Sequence, residues 1–224
     1  LTPFSLLDYP GNTCCILWFG GCNLRCPYCH NPELVRPPFA RFGASKVATF
    51  LESRRGLLDG VCLSGGESSL SPEIGAICQS LKDWGFRVKV DTNGCRPNTL
   101  RALIDAELID YVALDYKAPK EKFEATTGRN YYDDFSESLD ILIQSGLERE
   151  IRTTVHSRLL DERDIDAIIL DLESRGYRNR YYVQNFADHG TGKRTLSALP
   201  SHIPLDRKRI GSSDLIDVLY RNFD

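Results

Sequence analysis

Six short apolar segments alternate with amphipathic ones along this chain, and the alternation limits the folds that it can adopt. Each apolar segment has the length of a buried strand, and apolar residues at helical spacing separate successive segments. This order predicts β–α units of about 30 residues with no long antiparallel hairpin, which is typical of a parallel sheet with helices outside it. The predicted strands are Cys14–Phe19, Gly60–Ser64, Phe86–Asp91, Tyr111–Asp115, Glu150–Val155 and Tyr181–Phe186.

Capping and breaking residues delimit the helices between these strands. Ser71 and Pro72 start one helix that ends at Gly85, and Asp161 starts another that ends at Gly176. The fold class is therefore α/β. Periodicity does not decide between a doubly wound open sheet and an open, partial (βα)6 TIM-like barrel. The other helices are predicted at Ser45–Arg54, Asn98–Ala106 and Asp134–Ser145.

The end of the chain differs in composition from the rest. A loop rich in Gly, Ser and Pro begins at Asp188, and a short amphipathic helix is predicted at Leu215–Leu219. The chain has 224 residues, a length that fits one domain because single α/β barrels of about 200–250 residues are ordinary. We expect a core domain over residues 1–187 and an extension over residues 188–224, either within the same structural domain or as a tail.

Composition and charge exclude several classes of function. The formal net charge of -3 leaves no basic footprint, so neither nucleic acid nor a membrane is expected as a partner. No apolar run approaches the roughly 20 residues of a transmembrane helix, and the N-terminus has no signal-peptide pattern. The chain begins Leu1-Thr-Pro, so a short upstream segment is expected to be missing. Cysteine usage fits a reducing compartment, and we expect a cytoplasmic protein.

The segment Gly20–Asn31 carries the strongest chemical signal. Cys22, Cys26 and Cys29 have the spacing C-x3-C-x2-C, with no fourth cysteine placed to complete a tetrahedral site. Structural zinc sites and electron-transfer iron–sulfur clusters take four protein ligands. His30 is the alternative fourth ligand for zinc, although zinc ligands are usually further apart than Cys29 and His30. Three thiolates on one loop favour a cubane iron–sulfur cluster with one iron open to a non-protein ligand. The other cysteines are expected to be small buried hydrophobic residues: Cys14, Cys15, Cys62, Cys78 and Cys95.

Polar groups follow the predicted strands at their carboxyl ends, where parallel β/α folds carry their sites. Each group alone has a simpler explanation. Gly65-Gly66 before Glu67 is also typical of a strand-to-helix turn, Asp115 and Lys117 also fit a structural ion pair, and Arg152 fits a cation that balances a carboxylate. All of these groups are predicted to lie at one edge of the sheet, beside the cysteine loop. This shared position favours a functional role over a separate structural role for each group. The groups are Ser64–Glu67, Asp91–Gly94, Asp115–Lys117, Arg152–Thr154 and Gln184-Asn185.

The cysteine loop resembles the cluster-binding loop of the radical S-adenosylmethionine (SAM) enzymes, including the aromatic Tyr28 before the last cysteine. Phe4–Gly11 and Cys29–Val35 are similar to one branch, the activating enzymes of anaerobic ribonucleoside-triphosphate reductase, within the wider glycyl-radical-enzyme activases. The resemblance runs from about Phe4 to Phe186. It implies a partial barrel, a [4Fe–4S] cluster on the three cysteines, and SAM as the ligand of the open iron.

Residues at the strand ends then acquire expected roles toward SAM. Gly65–Glu67 is assigned to the amino group, with Glu67 setting the loop and the glycines letting the backbone approach the ligand. Lys117 or Arg152 supplies a cation for the carboxylate. Tyr28 is expected near the adenine, and Gln184 near the ribose or the adenine. The expected SAM-binding residues are Tyr28, Gly65, Gly66, Glu67, Asp91, Thr92, Asp115, Lys117, Arg152 and Gln184.

Two further points come from the resemblance. In some relatives the aspartates that correspond to Asp91 and Asp115 also hold a monovalent cation, which is therefore a possible third cofactor here. The family commonly has Pro-Thr after the glutamate, where this chain has Ser68-Ser69. Both pairs are short turn residues, so we expect only local consequences.

The activity that the resemblance implies is reductive cleavage of SAM in an anaerobic setting. One electron from the cluster gives methionine and a 5′-deoxyadenosyl radical, which takes a hydrogen atom from a glycine of a partner enzyme. The partner that the resemblance implies is anaerobic ribonucleoside-triphosphate reductase. No second cysteine ladder lies between Asn31 and Ser64, which favours this branch over activases with extra clusters. A flavodoxin- or ferredoxin-type protein is the expected electron donor. The alternatives are an activase of another glycyl radical enzyme such as pyruvate formate-lyase, a radical SAM enzyme acting on a small molecule or peptide, and a non-catalytic metal-binding module.

Overall fold

A computed structural model describes residues 1–187, 196, 199 and 201–223 of the chain. Its strands form one eight-stranded sheet in which the strand order follows the chain. The first strand is antiparallel to the second, and every later pair of neighbours is parallel. The strands are β1 (Thr2–Ser5), β2 (Cys14–Phe19), β3 (Gly60–Gly65), β4 (Arg87–Thr92), β5 (Tyr111–Asp115), β6 (Glu148–Val155), β7 (Arg180–Asn185) and β8 (Asp217–Arg221).

The strand order decides between the two architectures that the sequence left open. A doubly wound sheet reverses its order at a switch point, whereas a barrel adds each new strand on the same side. From β2 to β8 each strand pairs with the next, and among the described strands no pairing joins β8 back to β1. The prediction of an α/β fold with a partial barrel is therefore confirmed.

At least one helix connects each pair of neighbouring strands from β2 to β7, as predicted, and two helices lie between β5 and β6. The last helix begins at a capping box, in which Asp161 and Asp164 each accept a hydrogen bond from the other's backbone. None of the helices in the described part of the chain combines the length and the hydropathy needed to cross a membrane. The helices are α1 (Ala44–Glu52), α2 (Ile74–Asp83), α3 (Pro97–Asp105), α4 (Lys120–Thr127), α5 (Tyr132–Gln144) and α6 (Glu162–Ser174), with short 3-10 turns at Pro32–Leu34, Ser68–Leu70 and Arg207–Arg209.

The core extends over both faces of the parallel strands. Val61–Leu63 in β3 and Val112–Leu114 in β5 are fully buried, so neither face of these strands meets solvent. In α6, Ile165, Ile168 and Leu172 lie on the buried face at helical spacing. The five cysteines outside the Gly20–Asn31 loop are buried, which confirms their predicted role: Cys14, Cys15, Cys62, Cys78 and Cys95.

The prediction of a helix at Leu215–Leu219 is wrong. Asp217–Arg221 forms β8, which pairs in parallel with β7 through the register Arg180↔Asp217. The periodicity of a five-residue segment is too short to distinguish a helix from a strand. Pairing with the edge of β7 makes this segment a strand. Most of the loop predicted over residues 188–200 lies outside the described residues.

Two further elements have no counterpart in the sequence-based prediction. β1 is short and lies at the edge of the sheet, with two exposed residues among its four. α4 is mostly polar, and Phe123 is its one large buried apolar side chain. Neither segment therefore carries the apolar periodicity that identifies strands and helices from sequence.

Candidate active site

The cysteine loop leaves the carboxyl end of β2 and is held by backbone hydrogen bonds on both sides. Gly21 N donates to Leu34 O at 2.7 Å, and Glu67 N donates to Gly21 O at 2.8 Å. Further along the loop, Arg25 N donates to Thr127 O at 2.7 Å, at the end of α4. The loop is thereby fixed between the end of β3 and the end of α4.

The side chain of Arg25 closes the loop on itself. Its Nη1 donates to the carbonyl oxygens of Cys22 and Leu24, at 2.6 Å in each case. These two bonds hold the backbone between the first and second cysteines in a tight turn. A loop of this rigidity presents its cysteines in a fixed arrangement, which a metal site requires.

The three cysteines border a cavity of about 370 Å³. Cys26 is buried, and Cys22 and Cys29 are half-buried. Burial raises the pKa of all three thiols, to about 11 for Cys22. The positive charge of Lys117 opposes this increase and acts to lower the pKa of each thiol. Because thiolate is the form that binds metal, occupation of this site must release protons.

The donor set fits an iron–sulfur cluster better than a single metal ion. Around one zinc ion with Zn–S distances of about 2.3 Å, tetrahedral ligand sulfurs lie about 3.8 Å apart. Among the described residues, no three His, Cys, Asp or Glu side chains converge closely enough to hold one ion together. A cubane takes each thiolate on a different iron, so its cysteines need not converge on a single point. His30, the alternative zinc ligand, has its ring against Phe186, with the centroids 4.9 Å apart.

Gly65 and Gly66 are glycines because of the protein's own backbone. Gly65 has φ +130°, and a Cβ there would lie 2.4 Å from Phe19 N and O. A Cβ on Gly66 would lie 2.1 Å from Gly21 O. Both glycines line the cavity, but their missing side chains make room for the strand and loop that precede Cys22. The contacts that require glycine at these two positions are thus with the protein's own backbone, and not with a ligand as expected.

Glu67 ties two strand ends together from a fully buried position. Its Oε1 accepts from Ser69 N, from Ser69 Oγ at 2.6 Å and from Thr92 Oγ1 at 2.8 Å, and its Oε2 accepts from Asn93 N at 2.7 Å. Burial raises the pKa of Glu67, and these hydrogen bonds oppose the increase. The side chain is therefore fully used in setting the loop, as expected.

A row of alternating charges forms one wall of the cavity. Asp115 accepts from Lys117 Nζ at 2.9 Å and from Arg152 Nε at 2.6 Å, and Arg152 Nη2 lies 3.5 Å from Asp91. The buried Lys89 pairs with the other oxygen of Asp91. Arg152 Nη1 also lies 3.5 Å from the buried Glu150, so the three cations of this network face three carboxylates. The predicted ion pair of Asp115 with Lys117 and the balancing role of Arg152 are both present.

These pairs shift the pKa values of the row. Burial by itself raises the pKa of Asp91 and Asp115, but the adjacent cations outweigh burial and lower both values. Burial likewise acts to lower the pKa of Lys117 and Arg152, and the carboxylates reverse that effect and hold both well above their usual values. The whole row is therefore ionised at neutral pH.

Every predicted site residue lines the same cavity. Tyr28 is 3 % exposed, its ring belongs to the core, and its hydroxyl has no hydrogen-bond partner among the described residues. Thr92 is buried beside Glu67, and Gln184 lies on β7. The thirteen residues are Cys22, Cys26, Tyr28, Cys29, Gly65, Gly66, Glu67, Asp91, Thr92, Asp115, Lys117, Arg152 and Gln184.

Other lining residues were missed as site residues. Asp8 and Trp18 line the cavity. They lie within Phe4–Gly11 and the predicted strand Cys14–Phe19, and the pattern of neither segment singles out one residue as part of the site. Asn93 and Asn185 were quoted only as parts of turns and strand ends. Asn93 follows Thr92 in a turn directly after β4, and that position was the signal that could have identified it.

Comparisons with known proteins agree with this geometry. The sequence model of the Radical SAM superfamily matches residues 16–179. A protein of Methanocaldococcus jannaschii described as a glycyl-radical enzyme activating enzyme is 31% identical over 174 residues, which cover 75% of this chain and 72% of that protein. The pyruvate formate-lyase-activating enzyme of Clostridium pasteurianum is 29% identical over 174 residues, covering 71% of this chain and 68% of that protein.

Solved structures share the fold. Streptococcus suis SuiB, in a crystal structure bound to S-adenosylmethionine, superposes with a TM-score of 0.64 at 14% identity, over 82% of this chain and 43% of SuiB. The chain thus spans less than half the length of SuiB, and the likeness shows the fold alone. The superfamily match covers most of the chain, and the cysteine loop provides its ligand set. This chain belongs to the radical SAM superfamily and is a radical SAM enzyme, with a [4Fe–4S] cluster and SAM as its cofactors.

Proposed function

We propose that this protein is a glycyl-radical-enzyme activating enzyme and that its partner is anaerobic ribonucleoside-triphosphate reductase. The observation that carries the proposal is the shared cavity, in which the three cysteines face the charged row and the Gly65–Glu67 loop. The sequence of Phe4–Gly11 and Cys29–Val35 supports the reductase branch. The relative from M. jannaschii supports the wider class of activating enzymes.

The cysteines and the charged residues of the cavity have separate roles in binding the cluster and SAM. Cys22, Cys26 and Cys29 hold the cluster, which when bound supplies the electron for SAM cleavage. The charged row offers Lys117 and Arg152 to the SAM carboxylate, while Asp115 holds both cations in place. No side chain needs to act as an acid or a base.

The backbone and the buried side chains of the site supply position. Gly65–Glu67 offers backbone groups to the SAM ammonium, and the four hydrogen bonds to the Glu67 carboxylate keep that loop rigid. Tyr28 and Gln184 border the region proposed for the adenosine. We propose that Asp91 and Asp115 are available to a monovalent cation only if their present cation partners move aside.

A partner protein fits the open side of the barrel. Among the described strands β1 and β8 are not joined, which leaves a flank through which a peptide loop of the partner can reach the cavity. We assign the electron supply to a flavodoxin- or ferredoxin-type protein and the location to the cytoplasm. The net charge of -3 supports the absence of nucleic acid and membrane partners.

Activation of pyruvate formate-lyase is the second candidate. The relative from C. pasteurianum carries that name and matches 71% of this chain. Because the two candidate reactions use the same chemistry in the activase, only the partner distinguishes them. The experiment therefore has to offer both partners to the same preparation.

Electron paramagnetic resonance on the partner tests the proposal. The protein is reconstituted anaerobically with iron and sulfide, reduced with SAM present, and mixed with either the reductase or pyruvate formate-lyase. We expect a persistent glycyl doublet on the reductase. A doublet only on pyruvate formate-lyase would support the second candidate. Formation of 5′-deoxyadenosine without a signal on either partner would contradict activase function and favour a small-molecule or peptide substrate.

A cysteine variant provides the matched control. Cys26→Ala should lose the cluster and form no 5′-deoxyadenosine, because a cluster ligand is removed. Cys78→Ala removes a buried thiol from α2 that does not line the cavity, so it should keep both the iron content and the product. Activity retained in Cys26→Ala would refute the ligand assignment.

A further inference from the structure

A side-chain amide lies next to one of the three ligand sulfurs. Asn93 follows the last residue of β4 and is 4 % exposed. Its Nδ2 donates to Cys22 Sγ at 3.8 Å and to Asn23 Oδ1 at 2.8 Å. The backbone N–H of Leu24 donates to the same sulfur at 3.4 Å. Cys22 Sγ thus has an N–H donor from its own loop and one from a different strand end.

The orientation of the Asn93 amide is fixed by its other hydrogen bonds. Cys95 N donates to Asn93 Oδ1 at 2.9 Å, so the oxygen faces the turn and the NH2 group faces the sulfur. The backbone N–H of Asn93 donates to the buried carboxylate of Glu67 at 2.7 Å. A rotated amide would lose the bond from Cys95 and would place two donors against each other there.

A donor at a ligand sulfur affects the two oxidation states of a cluster unequally. Reduction adds one negative charge, part of which resides on the thiolates, so a hydrogen bond to a thiolate stabilises the reduced state more. We propose that Asn93 is a positioning residue that raises the reduction potential of the cluster through its hydrogen bond to Cys22 Sγ. The proposal rests on the cluster of the superfamily and not on the identity of the partner.

The test is a redox titration of the reconstituted holoprotein, followed by electron paramagnetic resonance, for two variants. Asn93→Ser keeps a short acceptor for the Cys95 N–H but lacks the donor that reaches Cys22. Asn93→Asp keeps the shape and the acceptor, and it replaces the donor by a carboxylate oxygen. At a fixed applied potential, we expect the ratio of oxidised to reduced cluster to rise about threefold to tenfold in Asn93→Ser. A tenfold change corresponds to about 59 mV for a one-electron couple. The rise should be larger still in Asn93→Asp.

Asn179→Asp is the matched control, because it makes the same chemical change on an exposed residue just before β7, at the opposite end of the sheet. Its midpoint potential should equal that of the wild type.

Wild-type potentials in both Asn93 variants would overturn the proposal. A shift in Asn93→Asp alone would also overturn it, because added charge would then explain the effect. Failure of both variants to retain iron would assign Asn93 a purely structural role. The redox titration contains no partner enzyme. Its result therefore does not depend on whether the activation experiment gives a glycyl radical signal.

Discussion

The charged residues that line this cavity form ion pairs with one another, and they are also placed to contact a ligand. Asp115 accepts from both Lys117 and Arg152, so the same side chains that form a structural ion pair also line the cavity. Their types and positions at strand ends were predictable from sequence. Lys89 was not, because a lysine in the middle of an apolar strand carries no pattern that reveals its contact with Asp91.

Removal of the Asp115 charge should destabilise the fold. Asp115→Asn is expected to lower the free energy of unfolding at pH 7 by about 3 kcal/mol, because Lys117 and Arg152 lose their shared carboxylate in a largely buried place. Denaturant unfolding under anaerobic conditions measures it. Asp133→Asn, which breaks an exposed pair with Lys120, should leave the free energy of unfolding unchanged.

The effect of Asp115→Asn should depend on pH in a definite direction. The pKa of Asp115 is lowered in the folded protein. A carboxyl group of this kind stabilises the fold fully above its unfolded pKa of about 3.9 and loses the contribution as the pH falls through the folded pKa. The difference between wild type and variant should therefore be largest above about pH 5 and shrink below about pH 4. A difference that stays constant over this range would contradict the assignment.

Neighbouring elements determine the shape of the cysteine loop. The loop is held by the end of β3 through Gly21 and Glu67, and by the end of α4 through Arg25. The sequence predicted that the strand ends would meet, because the carboxyl ends of parallel strands share one edge. It could not predict the contact with α4, since Lys120–Thr127 is too polar to be recognised as a helix. β8 escaped recognition because β7, rather than its own five residues, determines its conformation.

A glycine-to-alanine pair tests this element-level contact. Gly66→Ala places a Cβ 2.1 Å from Gly21 O, a backbone atom that can move only if the cysteine loop moves. We expect the reconstituted variant to bind less than half the iron of the wild type, measured per folded protein. Gly75→Ala is the control: it lies in α2 with nothing within 4 Å of the added Cβ, and it should bind iron normally. Normal iron content in Gly66→Ala would show that the loop tolerates displacement.

The whole molecule is an open barrel with its chemistry at one edge. β2 to β7 bring the cysteine loop and five further groups of polar residues to that edge, and the described part of the last segment adds β8 to the sheet. We propose that residues 1–187 form the core and that the extension belongs to the same domain, as the pairing of β7 with β8 supports. The order of strands and the place of the site were predictable from alternation. The extra strands at the two edges were not, since edge strands lack the continuous apolar runs of buried ones.

Isotope labelling measures whether the 5′-deoxyadenosyl radical takes its hydrogen atom from a glycine of the partner. Anaerobic ribonucleoside-triphosphate reductase is prepared with glycine deuterated at Cα and incubated with the reduced holoprotein and SAM. The 5′-deoxyadenosine formed is then analysed by mass spectrometry. We predict that one deuterium enters the 5′-deoxyadenosine, in step with the growth of the glycyl radical signal. Unlabelled 5′-deoxyadenosine, formed at the same rate with or without the reductase, would contradict hydrogen transfer from this partner.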